Sequence, residues 1–143
     1  MSISVPGETW AFFQITVPYF CGMKSHPYSQ LLQFAQDVFL KIGCPSKDAK
    51  LAADVLLHAD LRGIDSHGLA RLGGYVRLWE AKRVNSKPEM KLVHESPSTG
   101  VVDGDQGLGL VVGPHAMYIA LSKARACGTG WVAVRNSNHF GIA

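Results

Sequence analysis

Acidic residues run out early in this chain of 143 residues: no Asp or Glu follows Asp105, whereas Lys123, Arg125 and Arg135 do. That leaves the C-terminal stretch with a positive local balance, a field suited to an anionic small molecule. Cysteine is scarce as well. Cys21, Cys44 and Cys127 are odd in number and have no CxxC spacing, which argues against a disulfide framework or a thiolate zinc site. The expected compartment is a reducing one, the cytoplasm. There is no basic run; a net charge of +3, spread along the chain, makes nucleic acid a poor partner. Nor is there a long apolar run. The stretch from Trp10 to Cys21 is too short to span a bilayer, is broken by Gln14 and Pro18, and follows no basic segment, so neither a membrane helix nor a signal peptide is expected. What is present is 47% hydrophobic and 17% charged residues, enough for one soluble domain with a core.

Apolar periodicity predicts the elements. Leu31, Leu32, Ala35, Val38, Phe39 and Ile42 mark a helix over about 29–42, with Gly43 as its stop. Pro45 and Ser46 offer an N-cap for a second helix running to about Leu61 on Ala49, Ala52, Ala53, Leu56, Leu57 and Ala59. A third is expected from Gly68 to near Arg83, weakened by Gly73-Gly74. Lys91–Glu95 and Thr99–Asp103 are β-prone, split by Ser96-Pro97-Ser98, and read as a hairpin or sheet edge. Gly113-Pro114 opens a further helix closed by Cys127-Gly128, and Trp131–Val134 reads as a buried strand. Helices first, then strand, helix, strand, make the fold mixed α/β (α+β). The patterning divides the chain into an unassigned extension over 1–22, a helical segment over 23–83 and an α/β segment over 84–143. Amphipathic patterning that begins just after Met23 points to a native start near it.

Chemistry concentrates between His58 and Arg71, where ionisable residues interrupt the end of an apolar helix. Gly63 and Gly68 release the chain between two helices, leaving Ser66 and His67 at a junction able to face a cleft. Arg71 follows His67 by one helical turn. A guanidinium binds a carboxylate through two parallel charge-assisted hydrogen bonds. An imidazole gives or takes a proton near neutral pH, worth about 10²- to 10⁴-fold in rate as a general acid or base. Arg71 is therefore the candidate substrate anchor, His67 the proton exchanger and Ser66 its orienting partner. The plainer alternative is a capped surface junction. Asp60, Arg62 and Asp65 read as solvated ion-pairing residues. His139, after the last strand and the loop 135–138, is a second candidate imidazole, with exposed amides there able to meet a pyrophosphate; the plainer reading makes Asn136-Ser137-Asn138 a helix cap.

The run Ala59-Asp60-Leu61-Arg62-Gly63-Ile64-Asp65-Ser66-His67-Gly68, followed by Arg71, resembles the hallmark of the type 2 malate/L-lactate dehydrogenase family, which includes ureidoglycolate, sulfolactate and diketogulonate oxidoreductases and cyclic imino-acid reductases. Val102–Gly109 and Ser137-Asn138-His139-Phe140-Gly141 resemble its later segments in the same order, so the likeness covers about 29–143. The resemblance implies a hydride transfer between NAD or NADP and C2 of a small 2-hydroxy/2-oxo acid on a non-Rossmann fold, in a homodimer. It places Ser66 and His67 as relay serine and proton donor, Arg71 against substrate, and His139, Phe140, Gly141, Ile142 and Ala143 against the cofactor. It also implies that 23–83 serves substrate and dimerisation and that 84–143 begins the nicotinamide-binding part. His67 and His139 compete for the proton, with His67 favoured. The relay aspartate of the family has no counterpart here. The chain is thus expected to be an N-terminal portion, inactive alone.

Gly107-Leu108-Gly109 through Gly113 imitates a dinucleotide loop, but its third glycine falls one position late and no acidic residue stands about 20 positions on. These glycines are expected to serve turns and packing. Two other readings remain: a non-catalytic fragment or helical association module, and metal-assisted hydrolysis through His58, Asp60, Asp65, His67 and His139. Helical geometry would scatter the last set, and no HExxH pattern gathers it, so no metal is expected.

Overall fold

A computed structural model describes residues 26–142. Residues 1–25, and with them the apolar stretch and the start near Met23 read above, lie outside the described residues, as does Ala143.

Helix α1 (Tyr28–Lys41) and helix α2 (Ser46–Leu61) fall where the periodicity put them. Gly43, at φ +94°, turns the chain between them. Its N–H donates to Leu40 O at 2.9 Å and that of Cys44 donates to Phe39 O at 3.1 Å, satisfying carbonyls that the helix end would orphan. Pro45 alone precedes α2; Ser46 is the first helical residue, and no side chain caps either helix. Alanines 49, 52 and 53 are fully buried in one cluster with Ala35 and Phe39 of α1 and let α2 lie close to it. Each fully buried leucine there, such as Leu56, adds roughly 1.5–3 kcal/mol.

The third helix is shorter than its pattern. Two 3-10 turns, Asp65–His67 and Leu69–Arg71, come first, and α3 spans only Leu72–Glu80. Within the junction the Leu69 N–H donates to a side chain from α2.

Strands β1 (Lys91–Glu95), β2 (Thr99–Gly107) and β3 (Trp131–Ser137) form one sheet in that order. β1 and β2 are an antiparallel hairpin, its turn closed by Ser96 N–H to Thr99 O at 2.9 Å. β2 and β3 are parallel, joined by helix α4 (Gly109–Cys127). β2 runs four residues past the expected Asp103, through an irregular stretch where Asp105 and Gln106 adopt positive φ. α4 begins at Gly109, not at Gly113-Pro114, so Pro114 lies inside it. Burial of Leu110, Val111 and Val112 overrides the break expected of a proline. Gly128, at φ +85°, ends it as read.

β3 is a strand but not a buried one: Trp131 is 73% exposed and Val134 40%. It pairs with β2 alone among the described residues, Val132 packs on the small cluster of Val102, Val112 and Ala116 under α4, and its other face is open. Leu108, Leu110 and Val111 join the α1–α3 core, so the helical and sheet segments share one apolar cluster. Among the described residues no helix is long and apolar enough to cross a membrane.

Candidate functional site

Asp60, near the end of α2, does not pair in solvent as its spacing implied. Its carboxylate accepts the Leu69 N–H at 2.8 Å across the junction. A Cβ on Gly68 would overlap that carboxyl group, so the glycine is required by close approach. The pinned turn then presents the motif: His67 Nδ1 lies 2.9 Å from Ser66 Oγ, and Arg71 Nε donates to Ser66 O at 2.8 Å. Ser66 thus contacts the imidazole with its side chain and the guanidinium with its carbonyl. The terminal nitrogens of Arg71, on an exposed residue, make no hydrogen bond among the described residues.

The second half of the site arrives from beyond β3. Asn138 Nδ2 donates to Gln106 O at 2.9 Å and Gly107 O at 3.2 Å, tying the segment to the end of β2. Gly109 has no space for a Cβ against the Asn138 and His139 carbonyls, which confirms a packing role for the dinucleotide-like glycines. Asn136 Nδ2 donates to both oxygens of Asp103, at 3.1 and 3.0 Å, which ties this loop to β2. The loop caps no described helix.

His139 therefore stands with its ring centroid 5.3 Å from that of His67. The Tyr75 hydroxyl, one turn beyond Arg71, is 3.2 Å from His139 Nδ1, and the Gly141 N–H donates to the same nitrogen at 3.1 Å. Desolvation, then the Arg71 charge, then His67 hold the His139 imidazolium below its ordinary range. Burial pushes the Tyr75 phenol up, with Arg71 opposing. Phe140, 60% exposed, stacks on His139 at 6.4 Å between centroids.

The structure thus brings together Ser66, His67, Arg71, His139, Phe140 and Gly141, with Ile142 beside them and half buried. The metal-hydrolase set does not converge: His58 Nδ1 contacts Asp54 O at 2.8 Å on its own helix, and Asp60 serves the junction. Among the described residues no three His, Cys, Asp or Glu side chains gather. Two surface grooves, one between Trp79 and Gln106 and one between Leu92 and Ala126, include none of Ser66, His67, Arg71 and residues 139–142. Tyr75 was missed by sequence reasoning. Its signal was a hydroxyl-bearing aromatic four positions after Arg71 and eight after His67, masked by the Gly73-Gly74 pair.

The fold, helices followed by a hairpin and a β-α-β unit, is shared with solved malate and sulfolactate dehydrogenases. The malate dehydrogenase of Pyrococcus horikoshii OT3 superposes at TM-score 0.80 and 47% identity, over 82% of this chain and 34% of its own. The Malate/L-lactate dehydrogenase profile matches residues 26–143, and the chain belongs to that family. The L-sulfolactate dehydrogenase of Methanocaldococcus jannaschii is 52% identical over 75% of this chain and 31% of its own. The malate dehydrogenase of Pyrococcus abyssi is 50% identical over 82% and 32% respectively. The chain spans about a third of the length of these relatives.

Proposed function

We propose that these residues form the substrate end of a nicotinamide-dependent dehydrogenase that interconverts small 2-hydroxy and 2-oxo acids. The observation that carries this reading is the imidazole pair, with rings 5.3 Å apart, beside a guanidinium fixed through Ser66. Arg71 binds the substrate carboxylate through its two free terminal nitrogens, which holds C2 in a defined orientation. His67 exchanges the proton at the C2 oxygen, and Ser66 holds its ring. His139 faces the same oxygen from the other side.

The exposed Phe140 ring, stacked on His139, offers a flat apolar surface next to the imidazoles, and this fits the nicotinamide end of NAD or NADP. Residues His139 to Ile142, with Ala143 following, would hold that end; the cofactor, when bound, supplies or accepts the hydride. The open face of the site implies that the 143 residues alone do not turn over, because Arg71 and His139 are exposed to water that hydride chemistry must exclude. A homodimer serving a soluble cytoplasmic activity belongs to the same proposal.

The test is a chimera in which residues 26–142 replace their counterpart in the Pyrococcus abyssi malate dehydrogenase. It should reduce a 2-oxo acid from a panel with NADH or NADPH, and its His67→Ala form should lose turnover while keeping nucleotide affinity. Wild-type turnover in that variant eliminates the role of His67; a folded, nucleotide-binding chimera without activity on any 2-oxo acid eliminates the reading.

A further inference from the structure

His139 Nδ1 lies within hydrogen-bond distance of two groups, the Gly141 N–H at 3.1 Å and the Tyr75 hydroxyl at 3.2 Å. A backbone N–H cannot accept. In the neutral ring Nδ1 must therefore be the bare nitrogen and Nε2 must carry the hydrogen. The geometry of Gly141 serves this arrangement: at φ +87° the chain folds back so that its amide reaches the ring two residues earlier. Toward that nitrogen the Tyr75 hydroxyl can then act only as donor, and its other acceptor in reach, the His139 carbonyl, is farther away at 3.5 Å. Tyr75 is 3% exposed and wedged against Phe39, ring centroids 6.3 Å apart, so the donor is held by the apolar core.

We infer that Tyr75 is a positioning residue that, with the Gly141 amide, fixes His139 as a neutral imidazole presenting Nε2–H toward the His67 side of the site. The inference rests on the proposed function and divides the labour within it. His139 becomes a stationary hydrogen-bond donor to the substrate oxygen. His67, whose Nδ1 meets only the rotatable Ser66 hydroxyl, is left to exchange the proton.

The titratable and charged groups that face His139 are Arg71, His67 and Tyr75. Protonating Nδ1 would oppose the Gly141 N–H and forfeit the Tyr75 donation, in the same direction as the nearby Arg71 charge. Removing the Tyr75 hydroxyl should therefore ease protonation of His139 by roughly three- to tenfold, the equivalent of one net hydrogen bond.

The experiment is nitrogen-15 NMR of the histidine side chains of the 143-residue chain across pH, for wild type and Tyr75→Phe. The inference expects a bare Nδ1 and protonated Nε2 at His139 in neutral wild type, and an upward displacement of its titration midpoint in Tyr75→Phe. A wild-type His139 with hydrogen on Nδ1 overturns it without recourse to any variant. An unmoved midpoint in a folded Tyr75→Phe, judged by dispersed methyl signals, overturns the role of Tyr75. None of these readouts needs turnover, so their failure is separable from an inactive chimera, which would remove the dehydrogenase reading instead.

Discussion

Asp60 sits outside the reacting groups, yet the junction that presents them depends on it, and Asp60→Ala measures how much. The variant removes the acceptor of the Leu69 N–H, a half-buried bond of 2.8 Å spanning nine residues. A hydrogen bond to a charged group contributes about 1.5–3 kcal/mol, and a donor left without a partner costs its desolvation as well. Part of that cost is recovered, because water can enter beside the exposed residues 61–66. A loss of roughly 2 kcal/mol is the working value, about 1 M in urea midpoint for an unfolding slope near 2 kcal/mol/M. Asp60→Asn keeps a neutral acceptor and should lose about half as much. Urea unfolding followed by circular dichroism gives the stability, and hydrogen exchange at the Leu69 amide gives the local effect. Exchange there should quicken in proportion, while amides in the middle of α1 follow only the global change. If Asp60→Ala unfolds at the wild-type urea concentration and its Leu69 amide stays equally protected, the turn is held by something else and the argument from Asp60 to the site fails.

Gly109→Ala should be more damaging than its small size implies, because the added methyl meets the Asn138 and His139 carbonyls. Thermal unfolding should fall by several degrees, and the His139 NMR signals should broaden. Gly141→Ala forces a side chain into φ +87° and against Leu110 Cδ2 at 3.2 Å; a loss of about 1–2 kcal/mol in denaturant unfolding is expected. His139 is held below its ordinary value of 6.5 by desolvation first, so the unfolded chain binds a proton the folded one refuses. Its contribution is complete above pH 6.5 and declines as the pH falls toward the lower folded value, and His139→Gln should flatten that limb of a stability–pH profile. Lys123 is 8% exposed and donates to Glu95 Oε1 at 2.8 Å and Ser96 O at 2.7 Å. Glu95→Gln leaves the buried ammonium with only neutral oxygens and should cost at least as much in denaturant unfolding as Lys123→Ala, which removes the buried charge itself and leaves a solvated carboxylate.

Helices α1 and α2 were legible because one apolar face with a 3.6-residue period decides them, and Gly43 ended the first as its sequence position announced. The misreadings share a cause, namely contacts distant in sequence. α3 starts only beyond two 3-10 turns in a junction tied back to Asp60, α4 ran through a proline under tertiary burial, and β3 kept its strand character but not the burial its apolar run implied. In the site, Ser66, His67 and Arg71 were readable since they lie within one junction. Tyr75 was not, because its partner is 64 residues away and a tyrosine between apolar helix positions looks like packing.

That separation bears on how the site can form at all. Ser66, His67, Arg71 and Tyr75 are carried by the helical segment, and His139 through Ile142 by the end of the sheet segment; neither holds the imidazole pair alone. The segments meet through Leu108, Leu110 and Val111, which enter the α1–α3 core at the start of α4, immediately beside the Gly109 contact with residues 138 and 139. The apolar seam thus brings the two segments together, and Asp60 at the junction and Asn138 at the end of β2 pin the loops that carry the two rings. Side chains in a packed core shift by discrete steps and do not drift, so a core change at Leu110 should reach His139 more readily than a charge change on the far face of α4. The imidazole pair thus depends on core packing as well as on these bonds, which accounts for the glycine at 109, where a side chain would displace the backbone of Asn138 and His139.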